Sequence, residues 1–444
     1  MTRPPITMKD PTWFFMPLIF TAELMMISHS IIHGFLARLE APTVTLAAFS
    51  IAFILHGVTG SPLWVGPQVA IAFISDRRSV LRLFWFQIQA ALAPTAVMLA
   101  VSWTPAGEWL YAEFMGASAE VVRQAQQATV YFALVFFVVP FRNTATALIM
   151  LKRRTALITL GTLVRLLSLG GSLYLLPFWF GGASVGALAL FLCIAVESLF
   201  SLAMARAFYL DLPGQRGAPV AYGELWRFSW PLMLNQAAEG AVFFLINFFL
   251  GRLARPDLAL AAFGVMRGIQ MLLLSSLRNL AQTAQTLTRS REDLRVMLRF
   301  SFWVVLAHSL IALLVFVTPV RWWLLYTVMG LSRELAEYIA MPLVLSFVVA
   351  VFWGYSSLFK GLMIALRRTG SLAVTGFVRI AVVIAVGSVT LIAADINGAL
   401  VGVLAFAGAF AAECAVLFWQ LFLGGRAASL FPAHEEATEK ATGE

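Results

Sequence analysis

Charge is scarce in this chain. Only 12% of its 444 residues are Asp, Glu, Lys or Arg, about half of what a soluble domain carries. With so little charge and 61% hydrophobic residues, one soluble core cannot absorb the apolar side chains, and the bilayer has to act as solvent. Cysteine is almost absent: Cys193 and Cys414 both sit inside apolar runs, which excludes a disulfide framework or a zinc cluster. Missing too are a Gly-x-x-x-x-Gly-Lys-Ser/Thr loop for ATP and a Gly-x-Ser-x-Gly nucleophile turn. The N-terminal run is too long and too polar for a signal peptide and has no small-residue cleavage site. Polar ends are short, about a dozen residues before the first apolar run and about twenty after the last, so no soluble catalytic domain is expected.

What charge there is leans positive. The net charge is +9. In a soluble protein that would point to nucleic acid; here the sign follows from loops that collect Lys and Arg on the cytoplasmic face. Twelve apolar runs are long enough to span, near 13–37, 44–74, 81–104, 126–150, 156–178, 183–209, 227–250, 258–282, 298–320, 336–362, 371–393 and 397–422. The second contains Gly57, Gly60, Pro62, Gly66 and Pro67, so a kink or unwound turn is expected there. Alternate loops carry Arg77, Arg78 and Arg82; Lys152, Arg153 and Arg154; Arg289, Arg291, Arg295 and Arg299; and Arg367 and Arg368. Glu108, Glu113, Glu120, Glu334 and Glu337 lie in the opposite set. This positive-inside bias puts both termini in the cytoplasm and the chain in the cytoplasmic membrane.

The sequence also repeats. An offset of 214 carries Pro17 to Pro231, Arg38-Leu39 to Arg252-Leu253, and Leu46-Ala47-Ala48-Phe49 to Leu260-Ala261-Ala262-Phe263. It carries Trp109-Leu110 to Trp323-Leu324, Arg153-Arg154-Thr155 to Arg367-Arg368-Thr369, and Arg165 to Arg379. With two residues inserted, the offset becomes 216 and takes Gly182-Ala183 to Gly398-Ala399 and Glu197 to Glu413. Each half has an even number of spans, so both insert in the same orientation. The expected architecture is all-α and integral to the membrane: twelve helices in two parallel-repeat lobes, 1–215 and 216–425, around a central cavity, with a cytoplasmic tail at 426–444.

Ionisable groups in mid-membrane cost roughly 2.5–3.5 kcal/mol on insertion scales and need a reason to be there. The copied set, Arg165 with Glu197 and Arg379 with Glu413, reads as one structural ion pair per lobe. The uncopied set reads as functional. Arg142 and Arg267 suit a carboxylate or phosphate, joined by Asn235, Glu239 and Asn247 as substrate-binding residues. Glu23, His29 and His33 on the first helix are candidates for proton or ion coupling. Arg278 and Lys360 are expected to snorkel toward the cytoplasmic face. His29-Ser30-Ile31-Ile32-His33 puts two imidazoles on one helical face, but Ser30 stands where a zincin has its Glu, so no metal or other cofactor is expected.

Met115-Gly116-Ala117-Ser118-Ala119-Glu120-Val121, its copy Met329-Gly330-Leu331-Ser332-Arg333-Glu334, and Phe228-Ser229-Trp230-Pro231-Leu232 resemble the multidrug/oligosaccharidyl-lipid/polysaccharide exporter superfamily. The loop Ser75-Asp76-Arg77-Arg78-Ser79 lacks the glycines of the major facilitator alternative. Pro17-Leu18, Gly34 and Ala37, with Phe228 to Leu232, are most similar to the progressive ankylosis (ANK) branch. That resemblance implies a secondary transporter, not an enzyme, exporting a small anion such as pyrophosphate, citrate or a nucleotide. The bilayer, the anion and a coupling H⁺ or Na⁺ are then the expected partners; nucleic acid is not, and a monomer is expected. The resemblance leaves room for a multidrug or organic-cation antiporter, or for a lipid-linked saccharide flippase.

Overall fold

The computed structural model describes residues 5–115, 117–215, 220–393 and 395–423, and among them there are helices and no strands. The tail expected at 426–444 lies outside the described residues, as do Gly116 and residues 216–219. Twelve helices are long and apolar enough to cross a membrane: α1 (Lys9–Leu36), α2 (Pro42–Phe73), α3 (Arg77–Trp103), α4 (Ala119–Leu151), α5 (Ala156–Phe178), α6 (Ala183–Leu210), α7 (Tyr222–Leu250), α8 (Pro256–Leu287), α9 (Arg291–Val317), α10 (Phe347–Ala365), α11 (Gly370–Leu391) and α12 (Gly398–Leu423). A further helix, Arg333–Leu345, leads into α10 across Ser346. Large apolar side chains such as Trp85, Leu167, Phe178, Leu199 and Phe377 point outward, as a lipid-facing surface requires. This is a multi-pass membrane protein.

The repeat is legible in the backbone. The break expected in α2 is a 3₁₀ turn at Ser61–Val65, and α8 has its own at Ser275–Arg278, although no Gly or Pro marks that stretch. Wide π-type turns fall at Trp109–Phe114 and Trp323–Val328. Arg153 and Arg367 both adopt left-handed backbone, with φ 57° and 54°. Their amides return to the carbonyls of Met150 and Ile364, and the next residues' amides to those of Ile149 and Met363. This closes the ends of α4 and of α10 in a Schellman-type stop, where glycine is usual.

Helix starts are copied with the partners exchanged. Asp76 caps α3 by accepting from Ser79 N at 2.7 Å, while Ser79 Oγ accepts from Asp76 N at 3.1 Å. At the start of α9 the serine comes first: Ser290 Oγ accepts from Asp293 N at 3.2 Å. Either order satisfies otherwise orphaned N–H groups.

The chain divides into two compact units. The N-terminal unit is Phe20–Met233; the C-terminal unit joins the segment up to Ile19 to residues 234 onward. The expected boundary at 215 follows the repeat, whereas the contacts divide the chain inside α1 and α7. In the N-terminal unit α4 packs most extensively on α6, whose Ala183, Gly186, Ala187, Ala189 and Cys193 let the backbones approach. A Cβ on Gly186 would stand 2.9 Å from Phe49, and in the C-terminal unit one on Gly402 would stand 2.5 Å from Phe263. The same ring-on-glycine contact thus closes α2 on α6 and α8 on α12.

Candidate functional site

Each unit holds one buried ionic cluster, built on the copied Arg and Glu. In the N-terminal unit Glu197 of α6 is 2% exposed and receives two guanidiniums. Arg142 Nε of α4 donates to Oε1 at 3.0 Å, and Arg165 Nη1 of α5 lies 3.7 Å from Oε2. Arg142 is 23% exposed, and its Nη2 lies 3.8 Å from the Met25 Sδ of α1. Buried Arg165 Nε makes no hydrogen bond. Two cations against one carboxylate leave a positive charge where desolvation makes it costly.

The C-terminal cluster is larger. Glu413 of α12 lies 3.0 Å from Lys360 Nζ of α10 and 3.5 Å from Arg379 Nε of α11. It accepts hydrogen bonds from Ser356 at 2.5 Å, and from Thr375 and Asn235 at 3.2 Å each. Glu239 of α7 accepts from Arg278 Nη2 at 2.7 Å and from Arg379 Nη1 at 3.3 Å, with Lys360 Nζ 3.8 Å away. Arg379 Nη2 donates to the Asn235 carbonyl at 2.6 Å. Three cations and two acids are tied into one network, again with one positive charge over.

Arg142 and Glu239, expected to stand apart from the copied pairs, are therefore members of the ionic clusters. The expectation that Arg278 and Lys360 snorkel is corrected: both turn to Glu239, and Lys360, with its side chain 14% exposed, lies between two acids. A buried ammonium held by two carboxylates is more favourable there than a stem stretched toward distant water. Sequence reasoning missed Ser356, the position that the offset of 214 pairs with Arg142. That offset was the signal that would have found it: what reaches the glutamate from α4 reaches it again from α10.

The remaining predicted residues lie elsewhere. Arg267 of α8 sits over the Phe243 ring of α7, its Cζ 3.7 Å from the centroid, and forms no ion pair with a described carboxylate. The copy of this contact is His29 on Phe53, 5.0 Å between centroids, so the ladder keeps its ring contact while the residue types change. His33 meets Phe49 edge-on at 5.3 Å, and His56 stacks on Phe136 at 4.8 Å. The two α1 histidines thus pack on rings. Glu23 is partly exposed and makes no hydrogen bond or ion pair with a described residue, and Asn247 is exposed near the end of α7. Among the described residues no group of three or more His, Cys, Asp or Glu is arranged to hold a metal.

No family model matches the chain, and no curated protein matches it in sequence. Solved structures do match. An outward-facing multidrug-resistance MATE-family transporter of the MOP superfamily superposes with a TM-score of 0.78 at 15% identity, covering 96% of this chain and 97% of the other. A eukaryotic MATE transporter gives 0.75 at 13% identity, covering 95% and 97%. A MOP-superfamily transporter from Pyrococcus furiosus gives 0.73 at 15% identity, covering 95% and 96%. At such identities the likeness establishes a shared fold.

Proposed function

We propose that this chain is a secondary transporter that moves a small organic or phosphate-bearing anion across the cytoplasmic membrane by alternating access, with both termini cytoplasmic. The fold is that of MATE-like transporters, and the ANK-type resemblance supplies the substrate class: pyrophosphate, citrate or a nucleotide. The observation that carries the anion reading is the sign of the buried charge. The N-terminal cluster leaves one buried cation over, the cation in excess in the C-terminal cluster is the half-exposed Arg278, and Arg267 adds a guanidinium that lies over a ring and forms no ion pair with a described carboxylate. A desolvated cation in excess is an anion site waiting for its ligand. One neighbour in fold, the Pyrococcus furiosus transporter, is described as having a binding pocket of reversed polarity that suggests a different function, so this fold accommodates pockets of either sign. Arg142 of the N-terminal unit and Arg267 of the C-terminal unit are the anion-binding guanidiniums of this reading, and Asn235, Glu239 and Asn247 are its further substrate-binding residues. Glu23, His29 and His33 couple transport to H⁺ or Na⁺.

Counterflow in proteoliposomes with pyrophosphate, citrate, nucleotides and organic cations tests the reading. Saturable exchange of an anion, lost in Arg142→Ala and Arg267→Ala with insertion intact, supports it. Full anion transport by both variants refutes the mechanism. A second reading, an organic-cation antiporter, is favoured by Glu23, an acid on α1 that makes no ion pair with a described residue, and by a neighbour named for multidrug resistance. Exchange confined to the cation arm would select it.

A further inference from the structure

The C-terminal cluster has one acid and one cation more than the N-terminal one, and the repeat says where the acid is missing. The offset of 214 pairs Glu239 with Met25. In the C-terminal unit the Glu239 carboxylate engages Arg379, the copy of Arg165, at 3.3 Å, and satisfies Arg278 at 2.7 Å. In the N-terminal unit the same helix position offers a thioether, and the cation beside it is Arg142, whose Nη2 meets that sulfur at 3.8 Å. A thioether is a weak acceptor and leaves a guanidinium edge essentially unsatisfied. Arg142 holds Glu197 through Nε alone. Arg165, 3% exposed, reaches the same glutamate only at 3.7 Å and keeps a buried Nε without an acceptor.

We infer that the acidic group of the substrate docks in the N-terminal unit beside Met25, against Arg142 with Arg165 behind it, occupying the place that the Glu239 carboxylate fills in the other copy. The inference rests on the anion reading above and narrows it. Of the two proposed guanidiniums, Arg142 is the one that grips the carboxylate or phosphate. The ligand need present only one such group, because the cluster has only one charge to neutralise. In the C-terminal cluster the cation in excess is the half-exposed Arg278, and the Glu239 carboxylate already fills this position.

Restoring the missing acid tests the idea. Met25→Glu should fill the site from within. Anion counterflow should fall about tenfold or more through a raised KM, since like charges brought together cost several kcal/mol. Met25→Gln, of the same length without charge, should stay within about threefold of the parent. Arg142→Gln, which keeps length and loses charge, should raise KM in the same sense and stands in should Met25→Glu not reach the membrane. If the parent exchanges anions and Met25→Glu exchanges them with unchanged KM, the inference falls and the anion reading survives. If the parent exchanges organic cations alone, both fall. Equal losses in Met25→Glu and Met25→Gln would make Met25 a packing residue and overturn the inference.

Discussion

The two ionic clusters share one Arg–Glu frame, and what surrounds it shows how a duplicated scaffold is diversified. Around Glu197 the frame is sparse: one further arginine and a methionine. Around Glu413 it is crowded: a lysine, a serine, a threonine, an asparagine and a second glutamate with its own arginine. In both copies the Nε of the shared arginine, Arg165 or Arg379, makes no hydrogen bond. Backbone features are copied nearly residue for residue, from the 3₁₀ turns to the left-handed arginines. The side chains within bonding distance of the frame are where the copies part. Fold and chemistry are therefore written at different positions, and substitutions can address one without the other.

The largest effect should come from removing the shared acid. Glu413→Ala leaves Lys360 and Arg379 with Glu239 as their one remaining acid, in a site with almost no access to water, and should cost about 3–5 kcal/mol, read as a drop in detergent melting temperature. Glu197→Ala should cost less, because Arg142 keeps a path to solvent. Equal losses would break the contrast between crowded and sparse clusters. Next comes Glu239→Met, which writes the N-terminal arrangement into the C-terminal unit. Leaving half of buried Arg379 without its acid should cost about 2–4 kcal/mol, whereas half-exposed Arg278 can turn to water, so adding Arg278→Ala should recover little. Third, Gly402→Ala and Gly186→Ala drive a methyl into Phe263 and Phe49. Overpacking costs about 1–3 kcal/mol, and the closer approach, 2.5 Å against 2.9 Å, makes the Gly402 substitution the worse one.

The smallest effect concerns a polar pair that only one copy has. Tyr111 and Thr129 share a buried hydrogen bond of 2.7 Å, and the offset places Leu325 and Leu343 there in the other half, both fully buried. Tyr111→Phe should cost about 1 kcal/mol by leaving Thr129 without its partner; Tyr111→Leu with Thr129→Leu should be closer to neutral. Burial pushes the Tyr111 phenol up to about 12, against the opposing pull of the Thr129 hydrogen bond. A folded value above the ordinary one means that the group's contribution to stability is full below about pH 10. It is lost as pH rises through 12. A melting profile over that range should be flatter in Tyr111→Phe than in the parent.

Much of the scaffold was readable in the sequence because its signals are long and redundant. Twelve apolar runs stand out from their loops, and an offset of 214, becoming 216 after a two-residue insertion, marks the duplication from Pro17 to Glu413. Gly60 and Pro62 announced the turn in α2, whereas the α8 turn at Ser275–Arg278 was silent: it has no breaker residue and is legible only by carrying its copy forward. The candidate site was read less well. Sorting charges into copied and uncopied separated Arg142 from Glu197, although the two touch. Apolar periodicity is blurred in a helix that faces lipid on one side and protein on the other, and it gave no angle from which to see that α4 and α6 share an interior. Lys360 was misassigned for a related reason: depth along a helix was counted, while the acids on α7 and α12 that would hold an ammonium in place were not.

The left-handed arginines that end α4 and α10 have a consequence for how each half is oriented. A side chain at positive φ costs about 1 kcal/mol that glycine would avoid, yet both copies place arginine there. The cationic head is what glycine would forfeit. In the proposed orientation each half carries its own basic stop at the same point, after its fourth span and on the cytoplasmic side.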